Sequence, residues 1–76
     1  MMLQRMIRTD RYKLIVYPKA PAILLFDIKK DPEEMHNISA DPEYRTVLDD
    51  MMARLLKQQL ELNDTLDLTK VFKRQE

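Results

Sequence analysis

The sequence predicts an α+β fold in which an antiparallel sheet of about three strands is packed by one long C-terminal α-helix. Two observations support this fold class. The first half of the chain is rich in Ile, Val, Tyr, Phe and Leu, in short runs between polar or proline-containing connectors, which is typical of strands. From residue 41 onward, apolar residues recur at the spacing of an amphipathic helix. Strands followed by a helix indicate separate α and β layers.

The connectors between the strands favour an antiparallel meander. Thr9 and Asp10 form a connector short enough for a tight hairpin, and Asp tolerates the left-handed backbone conformation that such turns use. Pro18 and Pro21 occupy the next connector, where neither can donate a hydrogen bond to a sheet. The predicted strands cover residues 5–8, 12–17 and 22–28.

The long helix is predicted over residues 42–62, and its start carries several signals. Asp41 is placed to cap the first turn, and Pro42 takes the first helical position because its missing N–H costs nothing there. Glu43 lies at the positive end of the helix dipole. A shorter copy of this start signal predicts a single turn over residues 31–35.

These elements place the folded unit at residues 1–63. A chain of 76 residues has room for one apolar core and therefore for one domain. Residues 64–76 are more polar and are predicted to be a tail, within which residues 69–74 have the composition of a short helix.

Composition argues against several classes of function. Thirteen basic and thirteen acidic residues give no net charge, so the chain lacks the electrostatic field that draws proteins to nucleic acids or anionic membranes. It has no cysteine, hence no disulfide, thiolate metal site or cysteine nucleophile. The longest uncharged run, residues 20–26, is far too short to cross a membrane. The first residues lack the apolar run of a secretory signal, and an internal start within a longer chain is expected.

Two blocks of sequence resemble the C-terminal end of the sulfatase family. Residues 25–28, Leu-Phe-Asp-Ile, and residues 31–38, Asp-Pro-Glu-Glu-Met-His-Asn-Ile, form the first block. They are similar to a family strand Leu-Tyr-Asp-Leu that leads into Asp-Pro-x-Glu-x-x-Asn-Leu and then into a long amphipathic helix. Residues 5–15 form the second block and are similar to the family hairpin Arg-Thr-x-Arg-Tyr-Lys-Leu. The order and spacing of both blocks agree, and the resemblance covers residues 5–62.

The resemblance implies a C-terminal sulfatase subdomain that packs against a catalytic domain and helps to shape its cleft. The family hydrolyses sulfate esters with a formylglycine made from Cys or Ser in a Cys/Ser-x-Pro-x-Arg motif, beside a calcium ion held by Asp and Asn or Gln. This sequence contains no such motif, so the fragment alone is expected to be inactive and to need no cofactor. The calcium and formylglycine then belong to a periplasmic or secreted parent enzyme. The alternative is a free-standing α+β protein-interaction module.

Arg8 and Arg11 are the residues that suggest substrate contact. In an intact sulfatase their hairpin would border the cleft, where guanidinium groups can meet an anionic substrate. The alternative interpretation is that both arginines are solvated or form ion pairs. His36 is the only histidine, and without partners that would make it an acid, a base or a ligand it is interpreted as an exposed turn residue.

The acidic residues between positions 31 and 34 are interpreted as structural. Asp31, Glu33 and Glu34 lack the spacing and the central glycine of a calcium-binding loop. Asp31 is predicted to cap the turn, while Glu34 and Asn37 satisfy nearby backbone groups. The residues assigned to the structural motif are Asp27, Asp31, Pro32, Glu34, Asn37, Asp41 and Pro42.

Both faces of the predicted sheet are apolar. Leu14 and Val16 are expected to face one way, while Ile15 and Tyr17 face the other. One helix covers only one face of such a sheet. The second face is therefore expected to meet a catalytic domain. In the isolated chain it is expected to meet a second copy, either in a two-fold homodimer or through the swapping of strands or of the helix.

Overall fold

The computed structural model describes residues 3–19, 22–68 and 71. The strands are β1 (Arg5–Arg8), β2 (Tyr12–Tyr17) and β3 (Ala22–Asp27), the last of which ends one residue earlier than predicted. They form one antiparallel sheet in the order β1-β2-β3, and a long helix follows, which confirms the predicted α+β fold class. None of the helices in the described ranges is long and apolar enough to cross a membrane.

The hairpin between β1 and β2 closes without a left-handed residue. Thr9 N donates to Tyr12 O at 2.9 Å, while the Thr9 hydroxyl oxygen accepts from Tyr12 N at 3.0 Å and from Arg11 N at 3.3 Å. Among the described residues only Glu34 and Asn63 have positive φ, so Asp10 does not adopt the left-handed conformation that an Asp tolerates. The threonine hydroxyl takes the place of a backbone carbonyl as the hydrogen-bond acceptor in the turn. The turn therefore does not need a glycine, and the chain contains none.

The helical segment begins as a single 3-10 turn, Pro42–Tyr44, and continues as the α-helix α1, Arg45–Glu61. Asp41 caps the 3-10 turn, since its carboxylate accepts from Glu43 N at 3.0 Å.

The end of α1 is closed by a left-handed residue. Asn63 has φ 54°, and its N–H donates to Leu60 O at 3.2 Å. Asp64 N donates to Gln59 O at 2.7 Å. These two bonds form the Schellman arrangement, in which Asn takes the place usually held by Gly.

The apolar core lies between α1 and one face of the sheet. Leu68 and Val71 also belong to it, with 1% and 2% of their surface exposed. The segment after residue 63, which was predicted to be a polar tail, therefore contributes at least these two residues to the core. The predicted helix at 69–74 lies outside the described residues except for Val71. The buried core residues are Leu14, Val16, Ile23, Leu25, Leu48, Met51, Leu55, Leu68 and Val71.

Polar contacts attach the segment after α1 to the first strand. The Asp64 carboxylate accepts from Arg5 Nε and, at 3.1 Å, from Arg5 Nη2, and it also accepts from Leu66 N at 3.2 Å. The hydrogen bond from Arg5 is the main reason that the pKa of Asp64 lies well below its usual range. Gln59 Nε2 donates to Leu66 O at 2.9 Å. These bonds direct the chain back over the core, where Leu68 is buried.

Candidate functional site

The second face of the sheet points away from α1. Successive side chains of a strand alternate between faces, and the register places Met6, Ile15 and Leu24 side by side across the three strands. Met6 is 46% exposed, and Ile15 and Leu24 are half-buried. The core packs on the opposite face, so α1 leaves this row uncovered. The residues of the second face are Met6, Arg8, Lys13, Ile15, Tyr17, Ala22, Leu24 and Phe26.

A charged row borders this apolar row. Arg8 is paired in register with Lys13, and Lys13 with Phe26. Lys13 Nζ lies 2.9 Å from Glu34 Oε1, so the Glu34 side chain binds a neighbouring cation rather than backbone groups. Glu34 adopts φ 56°, which is uncommon for a residue with a Cβ atom. Lys13 belongs with Arg8 and Arg11 to the basic cluster that the sequence places on this hairpin, but its pairing with Glu34 was not predicted.

Arg11 is held at the hairpin tip by a buried carboxylate. Its Nη2 lies 3.1 Å and its Nε 3.4 Å from Asp27 Oδ2, and the guanidinium carbon lies 5.2 Å from the centre of the Tyr12 ring. Asp27 is 4% exposed, and its other oxygen accepts from Lys30 N at 3.2 Å. Burial tends to raise the pKa of Asp27, but the bonds from Arg11 and the backbone outweigh it and leave the pKa below its usual value.

Arg8 and Arg11, predicted together as substrate contacts, therefore have different surroundings. Arg8 is exposed on the second face, whereas Arg11 stacks on Tyr12 and pairs with Asp27. Tyr12 in turn meets the Tyr44 ring edge-on at 6.5 Å between ring centres. Arg11 thus connects the hairpin to the end of β3, and only Arg8 remains on the surface that α1 leaves uncovered.

The segment after β3 protects the outer edge of that strand. Asn37 Oδ1 accepts from Leu25 N at 3.0 Å, Asn37 Nδ2 donates to Ile23 O at 3.1 Å, and Ile38 N donates to Leu25 O at 2.8 Å. Ser39 Oγ donates to Ile23 O as well, at 3.0 Å. Asn37 and its neighbours thus take the place of a fourth strand. The sequence predicted that Asn37 satisfies nearby backbone groups, but not that these groups form the outer edge of β3.

The turn before Asn37 is organised by Asp31. Its two carboxylate oxygens accept from Met35 N at 3.0 Å and from His36 N at 2.9 Å, and these bonds hold its pKa below the usual value. Pro32 lies in the turn itself, and His36 is exposed. Asp31 therefore acts on the backbone of its own loop.

The described residues do not fit the calcium site of a sulfatase. No group of three or more His, Cys, Asp or Glu side chains in this part of the chain could hold a metal ion. The single serine, Ser39, is followed by Ala40 and Asp41 rather than by the spacing of the Cys/Ser-x-Pro-x-Arg motif.

Fold and surface together define a small α+β domain with a helix on one sheet face and an apolar row on the other. The family model described as N-sulphoglucosamine sulphohydrolase, C-terminal, matches residues 2–61. The chain belongs to this family, which confirms the predicted C-terminal sulfatase subdomain.

Two relatives are each larger than this chain. An uncharacterized protein of Haemophilus influenzae is 39% identical over 64 residues, which are 84% of this chain and 32% of that protein. A Delta 4,5-hexuronate-2-O-sulfatase of Bacteroides thetaiotaomicron is 40% identical over 57 residues, which are 66% of this chain and 12% of that protein. The chain thus spans 32% and 12% of the length of these two relatives.

Proposed function

We propose that this chain is the non-catalytic C-terminal part of a sulfatase, a hydrolase of sulfate esters, and that its second face packs on the catalytic domain. The observation that carries the proposal is the apolar row of Met6, Ile15 and Leu24, which α1 leaves uncovered. The family match, to the C-terminal part of a sulphohydrolase, supports a catalytic domain as the partner of this row. Burial of such a row stabilises an interface by roughly 25 cal/mol per Å² of apolar surface.

In this proposal the charged row of Arg8 and Lys13 is the part of the hairpin that borders the cleft. Arg8 lies next to Lys13, whose charge is paired with Glu34, so Arg8 supplies the cation that meets an anionic substrate. Arg11 acts as a positioning residue, since its pair with Asp27 fixes the hairpin tip on which Arg8 borders the cleft. The catalytic domain supplies the formylglycine and the calcium ion, and sulfate-ester hydrolysis takes place there.

A chimeric enzyme tests this proposal. The segment of the Bacteroides sulfatase that matches this chain is replaced by the corresponding residues of this chain, and kcat/KM is measured with that enzyme's own substrate. We expect activity within about tenfold of the unmodified enzyme, which corresponds to about 1.4 kcal/mol of transition-state stabilisation. A variant that lacks the segment is the control and is expected to be inactive. A soluble, folded chimera as inactive as this control would contradict the proposal.

The alternative function is a free-standing module that binds another protein through the same second face. In either case we propose that the isolated chain self-associates as a two-fold homodimer through this face, because Met6 is otherwise 46% exposed and Ile15 and Leu24 are only half-buried. Light scattering at tens of micromolar is expected to give a mass above the 9.1 kDa of one chain. The Leu24→Asp variant is expected to be monomeric and to give a mass of 9.1 kDa. A wild-type protein that stays monomeric over this range would contradict self-association.

A further inference from the structure

We draw no further inference here: the strongest candidate, the outer edge of β1 with the hollow beside it that is lined by Ile7, Lys57 and Glu61, carries no proposal because nothing in the structure shows what covers it.

Discussion

A chain that ends after Asn63 is expected to be unfolded at 25 °C, although the family match itself ends at residue 61. The deletion removes Leu68 and Val71 from the core and removes Asp64, which binds Arg5. Each buried aliphatic side chain stabilises the fold by roughly 1.5–3 kcal/mol. A domain of this size has a total stability of only about 4–11 kcal/mol. The loss is therefore comparable to the whole free energy of unfolding.

A point variant measures the same contribution without shortening the chain. Leu68→Ala is expected to lower the free energy of unfolding by about 3 kcal/mol, because it leaves a cavity at a residue that is 1% exposed. Leu60→Ala is the matched control: Leu60 is 83% exposed, and the change is expected to stay within about 0.5 kcal/mol. Urea unfolding followed by circular dichroism gives both values. Equal stability of the two variants would show that the segment after α1 does not belong to the core.

The second large effect is expected at Asn37. Asn37→Ala leaves the N–H of Leu25, a fully buried residue, without its acceptor at the edge of β3. An unsatisfied buried backbone group costs about 1–3 kcal/mol, so we expect a destabilisation of about 2 kcal/mol. The variant also uncovers a strand edge and is expected to aggregate at lower concentration than the wild type.

His36, the residue before Asn37 in the same loop, provides a matched control variant. His36→Ala changes the neighbouring exposed side chain, while the backbone N–H of residue 36 can still donate to Asp31. Its free energy of unfolding is expected to stay within about 0.5 kcal/mol of the wild type in the same urea titration. If both variants lose similar stability, the effect arises from the loop as a whole and not from the bonds between Asn37 and β3.

The regular elements could be predicted from the sequence because their signals are local. Alternating and continuous apolar runs indicated the strands, and the apolar positions of α1 follow a helical period with an Asp-Pro start. The apolar second face, which α1 leaves uncovered, was also predicted, because apolar residues occupy both the odd and the even positions of β2. These features depend on period and residue type, which a single sequence contains.

The features that sequence reasoning missed depend on tertiary register. Arg11 and Asp27 are 16 positions apart and meet only because β2 and β3 pair from Tyr12 to Asp27. Leu68 and Val71 stand in a short segment with many polar residues, which is too short to show a clear period, so the segment appeared to be a polar tail. The hairpin turn was predicted from the backbone preference of Asp10, whereas the Thr9 hydroxyl closes it.

The most direct test of the central proposal, that the second face packs on a catalytic domain, is the activity of the chimeric sulfatase with a charge placed on this face. Leu24→Asp in the chimera is expected to lower kcat/KM by at least about tenfold, because it puts a carboxylate in the buried apolar row of the interface. Leu60→Asp, on the exposed side of α1, is expected to leave kcat/KM unchanged. A Leu24→Asp chimera that is folded and as active as the Leu60→Asp chimera would contradict the proposal.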